Sequence, residues 1–199
     1  AVNAQLDQIL RNAGDSAAVT GDHIRELAVE IMEYSGFSDE AVVSAASMVA
    51  SFGNVSNSQP TFDRTLRASA DLAVFMGTDV ASAAKMLGRA LNDPEQGVSR
   101  LARVFPSLTA AQKDAISSMA AAGDIAGAQA MIFDLLESKV GGLAATYGNT
   151  MPGQIDKTKE ALGELAEAMG GELLPAVERG ATGLAGYVQQ LTELQEKAE

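Results

Sequence analysis

The sequence has no cysteine in 199 residues. Disulfides and thiolate metal sites are thereby excluded, and a reducing compartment is compatible with the chain without being required. It has a single histidine, His23. A zinc site wants several ligands at defined spacing, and a serine nucleophile wants a base within reach. Aromatic residues make up 5%, where a sheet would want many aromatic and β-branched side chains. Basic residues are scarce, with 14 Lys and Arg against 26 Asp and Glu and a net charge of −12. No basic patch of the kind that grips a duplex is visible. Long apolar runs are missing too. The stretch from Ala41 to Phe52 contains three serines and falls far short of the roughly 18 apolar residues of a membrane span. The opening "AVNAQLDQIL" lacks a basic region followed by an apolar stretch, so no signal peptide is expected. The missing initiator Met fits an excerpt from a longer protein.

What is present is helical periodicity. Ile24, Leu27, Ala28 and Ile31 follow an i, i+3, i+4, i+7 pattern, as do Val42, Ala45, Ala46 and Val49, and Val98, Leu101, Ala102 and Phe105. Hydrophobic residues reach 47%, enough for a sizeable core. Ser38, Thr78 followed by Asp79, the capping box Thr109–Gln112, and Asp124 mark helix starts. Gly36, Gly53, Gly77 and Gly123 mark stops suited to a left-handed residue. No period of two is convincing. The pattern predicts helices near 3–12, 20–35, 38–52, 60–76, 78–92, 94–105, 109–122, 124–140 and 153–198. An echo, "SAASM" at Ser44–Met48 and "SAAKM" at Ser82–Met86, reads as chance in an Ala-rich chain.

Two regions stand out. In "LGRALNDPEQG", Leu87–Gly97, Asn92 is expected to take a left-handed exit, Asp93 to cap the next helix and Pro94 to occupy its first position. The result is a helix–helix corner. Further on, "GGLAATYGNTMPGQ", Gly141–Gln154, carries four glycines and a proline and breaks the periodicity. The expected organisation is therefore a compact helical domain over 1–142, a Gly-rich linker over 143–152, and a long helical, coiled-coil-like segment over 153–199. The fold class is all-α: a multi-helix bundle of short antiparallel helices followed by a C-terminal arm or hairpin. Fully helical, residues 153–198 would span roughly 70 Å, so the segment either projects as an arm or bends near Pro175. Gly180, Gly183 and Gly186, with Leu184, Leu191 and Leu194 alongside, offer a small-residue face for a second helix. The same glycines equally suit a fraying helix.

Charge is uneven. Residues 1–50 sum to −6 and 151–199 to −5, leaving −1 for the middle hundred. The ends therefore read as solvated and the middle as the packed body.

Catalytic signatures are not found. His23 in "TGDHIREL" reads as a solvated helix start beside Asp22 and Glu26, and Glu26, Glu30 and Glu33 as a solvated carboxylate face. There is no phosphate loop, dinucleotide fingerprint, calcium loop or nucleophile elbow. Arg89, Arg100 and Arg103 are the densest basic group and are expected to pair locally with Asp93 and Glu95. No catalytic, cofactor or metal residue is assigned.

Several segments resemble a known family, in order along the chain: "FSDEAVVSAASMVASF" (Phe37–Phe52), "DLAVFMGTDVASAAKMLGRALNDPEQGVSRLARV" (Asp71–Val104), "LTAAQKDAISSMAAAGDIAGAQAMIFDLLESKVGG" (Leu108–Gly142) and "PGQIDKTKEALGELAEAMGGELLPAV" (Pro152–Val177). From Ile24 to Val177 the chain resembles the helical region of tailed-phage and prophage tail length tape measure proteins. The motifs "LGRALNDPEQG" and "AAGDIAGAQAMI" carry most of the likeness. "VFPSLT" (Val104–Thr109) departs from the Gly-containing turn often found there. The resemblance implies a structural protein, not an enzyme: a scaffold inside the tail tube that sets tail length and takes part in assembly and genome ejection. It implies a homo-oligomer that works with tail tube protein, assembly chaperones and tail-tip or baseplate proteins. Its place would be the virion tail, and the host cytoplasm during assembly. Neither a specific nucleic acid nor a membrane span is expected. The alternative is a helical adaptor that binds a partner helix without catalysis.

Overall fold

The structure, a computed structural model, describes Gln8 and residues 18–168. All the elements there are helices: α1 (Gly21–Ser35), α2 (Asp39–Ala50), α3 (Gly53–Ser56), α4 (Gln59–Met76), α5 (Val80–Asn92), α6 (Pro94–Val104), α7 (Ala110–Ala121), α8 (Ile125–Val140), α9 (Leu143–Gly148) and α10 (Met151–Ala168). No strand occurs among the described residues. The expected all-α class is what the chain adopts.

The helix ends follow from short-range chemistry. Thr20, Ser38, Ser58, Asp79, Asp93, Thr109 and Asp124 each accept a bond from a backbone N–H in the following turn. These N–H groups would otherwise lack partners inside the helix. The Thr109–Gln112 box is complete, with Gln112 N donating to Thr109 Oγ1 at 3.2 Å and Thr109 N donating to Gln112 Oε1 at 3.0 Å. Gly36, Gly77 and Gly123 have the expected positive φ.

Two local expectations fail. Gly53 does not take a left-handed turn; it opens α3, a single helical turn. No non-glycine residue has positive φ among the described residues, so Asn92 is not a left-handed exit. It remains the last residue of α5, and its side chain is used instead. Asn54 N donates to Asn92 Oδ1 at 3.1 Å, and Asn54 Nδ2 donates to Asn92 O at 2.8 Å. A second acceptor thus lets the helix end without a change of hand.

One contiguous apolar core runs from Val19 to Ala144. Phe62, Leu66 and Leu72 of α4, Leu87 and Leu91 of α5, Leu101 of α6, and Ile132 and Leu136 of α8 are among its fully buried side chains. Helix α4 is central and packs against α1, α2, α3, α5, α8 and α9. The pair α2 and α5 also pack along one another. The five-residue echo lies here: Ala45 and Ala46 of α2 and Ala83 and Ala84 of α5 are all wholly buried. Small residues on both helices let their backbones approach closely.

The segment read as a Gly-rich linker contains helix α9. Its N-terminus has no cap from its own chain neighbours. Asp71 of α4 supplies one, with Gly142 N donating to Oδ2 at 3.1 Å and Ala144 N donating to Oδ1 at 2.8 Å. Burial raises the Asp71 carboxyl above its ordinary range, opposed by those two N–H bonds. Helix α9 packs on α1 and α4, and α10 packs on α9 and α1. Gly180, Leu184, Gly183, Gly186, Leu191 and Leu194 lie outside the described residues.

Candidate functional site

A groove of about 380 Å³ lies between α4 and α8. Its charged groups are all in use. Arg64 Nη2 donates to Asp134 Oδ1 at 3.0 Å and to Glu137 Oε2 at 3.1 Å, and the guanidinium carbon sits 4.6 Å from the centre of the Phe133 ring. Arg67 holds Glu30 with both branches, Nη2 to Oε2 at 2.9 Å and Nη1 to Oε1. That guanidinium lowers the Glu30 carboxyl below its ordinary value. Asp71 caps α9. The groove is a seam closed by ion pairs. Glu30, read from the sequence as part of a solvated face, is exposed and is also tied to α4 through Arg67.

His23 is also placed differently from its sequence reading. Nε2 lies 2.7 Å from Asp63 Oδ1, and Gln59 Nε2 lies 3.4 Å from Nδ1. The ring joins α1 to α4, a contact over 40 residues that local spacing does not reveal. Both ring nitrogens face these side chains.

Asp39, Glu40 and Glu160 bring their carboxylates within 4.8 Å of one another where α2 begins beside α10. The neighbouring Asp39 carboxyl pushes Glu40 above its ordinary value, with burial and Glu160 adding to it. The cluster is a like-charge contact, softened by the positive end of α2.

The corner between α5 and α6 is different. Asp93 ends one helix and caps the next, with Gln96 N donating to Oδ1 at 3.3 Å. Pro94 follows at the first helical position. Gly88 lies against the Phe52 ring and Gly97 against Ala90, so closely that a methyl group at either would overlap its neighbour. Gln129 of α8, buried, donates to Leu91 O at 2.9 Å and to Asn54 O at 2.8 Å. The corner is thus clamped by α3 and α8. Phe52, Arg89, Asn92, Asp93, Gln96, Gly97 and Arg100 line a surface depression there of about 440 Å³.

The expected pairing of Arg89, Arg100 and Arg103 with Asp93 and Glu95 does not form. Arg25, Arg64 and Arg67 each hold a carboxylate; among the described residues Arg89, Arg100 and Arg103 hold none. For Asp93 the physical reason is that it turns its carboxylate onto its own helix.

The family model described as prophage tail length tape measure protein matches residues 2–117. The chain belongs to that family. The match takes in the corner and ends within α7. The resemblance read from the sequence extended further, and its parts beyond residue 117 lie outside the match. No curated protein and no solved structure matches the chain. Membership makes this a structural protein of the phage tail. Among the described residues no helix is long and apolar enough to cross a membrane.

Proposed function

We propose that the chain is a folded helical module of a tape measure protein. It acts as part of the scaffold inside the tail tube that sets tail length and takes part in assembly and genome ejection. Its partners are tail tube protein, assembly chaperones and tail-tip or baseplate proteins, and it works as a homo-oligomer without catalysis. It is made in the host cytoplasm and resides in the virion tail. The observation that carries this reading is the family match over 2–117. The net charge of −12 agrees with it, because an acidic surface repels DNA that passes the same channel.

The body runs from α1 through α9, since Ala144 is fully buried in the common core. The arm then begins at α10. A compact body is a poor ruler. Stretched as one helix, residues 18–150 would span roughly 200 Å. Folded, they occupy about 35–40 Å across.

Electron microscopy of tails after in-frame removal of residues 18–150 tests the reading. Tails should shorten by about 35–40 Å. Shortening near 200 Å would mean that the body is drawn out into a rod. Unchanged tails would place it outside the length-setting part.

A further inference from the structure

Helices α9 and α10 are tied to each other across their junction. Gln154 Nε2 donates to Gly148 O at 2.7 Å, and Tyr147 Oη donates to Asp156 Oδ2 at 3.1 Å. Thr150 bridges the turn, its N donating to Tyr147 O at 2.8 Å and its Oγ1 accepting from Gly153 N at 3.4 Å. Gly153 lies against the Tyr147 carbonyl. The two short helices therefore make one elbow.

The elbow's hold on the rest of the chain is small and gathers at one end. Among the described residues, Ala144 is the only buried hydrophobic residue beyond Val140. Asp71 takes the N–H groups of Gly142 and Ala144, Tyr147 stacks on Phe37 with ring centres 6.4 Å apart, and Gly148 lies against Tyr34 O. Ile155 and Leu162 of α10 are half-buried and lie apart from the described core. Where α10 passes the start of α2, three carboxylates meet, and their repulsion pushes the two helices apart. Gly141 and Gly142 separate α8 from the elbow, and Gly142 has a φ of 79°. Two successive glycines let the backbone swing at this point.

We propose that α9 and α10 form one strap, hinged at Gly141–Gly142 and latched by Asp71, that swings off the end of α1 while α1–α8 stays folded. The apolar core gives up one buried alanine in the process. The latch is polar, so water replaces its partners once it opens and the cost stays modest. Regions with few buried apolar contacts are the ones that open below the global unfolding free energy. In a tape measure, this is the point at which arm and body come apart. That use rests on the proposed role in the tail; the opening does not, and the chain on its own displays it.

The test is native-state hydrogen exchange of the full chain, followed by NMR at increasing urea. Helices this short do not hold their bonds once off the body, so opening exposes the amides of both. Tyr147, Gly148 and residues 155–162 should share one opening, with protection about a hundredfold below that of Leu66 and Leu87 in the core. Asp71→Ala should speed exchange by about tenfold, equally in α9 and α10. Ile116→Val trims the core in α7, away from the strap, and is present in both the closed and the opened state. It should speed exchange at Leu66 and Leu87 by about fivefold and leave the strap amides unchanged. Should the Asp71 variant fail to fold, the Ile116 variant decides alone. Strap amides that accelerate with the core in Ile116→Val open only by global unfolding, which overturns the proposal. So does an Asp71→Ala chain that speeds α9 and leaves α10 as it was.

Discussion

Gly148, the last residue of α9, lies against the carbonyl oxygen of Tyr34 with no room for a methyl group. Gly153 stands in the same relation to Tyr147, and a Cβ on Gly36 would sit 3.1 Å from Gly153 O. Three glycines thus set how closely α9 and the start of α10 approach the end of α1. Gly148→Ala should destabilise the body by about 1–3 kcal/mol. Gly163, farther along α10, faces open space, so Gly163→Ala should strengthen that helix by up to about 1 kcal/mol. Urea unfolding of the two variants checks this. Equal effects would mean that the close approach at Gly148 does not exist in solution.

Much of this fold is written in neighbouring residues. Ser38, Asp124 and the Thr109–Gln112 box act within one helical turn, so their roles are readable without knowing the tertiary structure. Helices α3 and α9 are four and six residues long, too short to display a period, and both were missed. The remaining failures share a cause. Asp71 caps α9 from 71 residues away, His23 finds Asp63 across 40, and Gln129 reaches Leu91 across 38. At the corner, the turn was legible because Asp93 and Pro94 are local signals. The unpaired state of Arg100 was not, because it depends on which way Asp93 turns.

Gln129 ties three elements with one amide. Its Nε2 satisfies the carbonyl of Leu91 near the end of α5, where helical partners run out, and that of Asn54 in α3. Gln129→Leu keeps the volume and removes both donors. The expected loss is about 1–3 kcal/mol, with faster amide exchange at the α5–α6 corner. Exchange unaltered there would show that the clamp contributes nothing.

Asp71→Ala removes the acceptor for two N–H groups at the start of α9. The expected cost at neutral pH is about 1–3 kcal/mol, concentrated in α9. Hydrogen exchange of residues 142–148 should accelerate more than that of α6, which Asp71 does not touch. Uniform acceleration would instead indicate a general loss of stability.

The carboxylates of Asp39, Glu40 and Glu160 predict the direction of a pH effect. Glu40 is raised in the folded chain, chiefly by Asp39 and then by burial, with Glu160 contributing. A raised carboxyl binds its proton more tightly folded than unfolded, so its contribution to stability falls as pH rises from the unfolded to the folded value. Above that window the repulsion is complete. Glu30 runs the other way: Arg67 lowers it, and the pair's small surface contribution is lost only as pH falls through the lowered value. Glu40→Gln should therefore stabilise the chain at neutral pH and match wild type under acid conditions, where Glu40 is already protonated. Urea unfolding of both proteins across this range measures the difference. A gap that stays constant with pH would mean that the three carboxylates do not meet in solution.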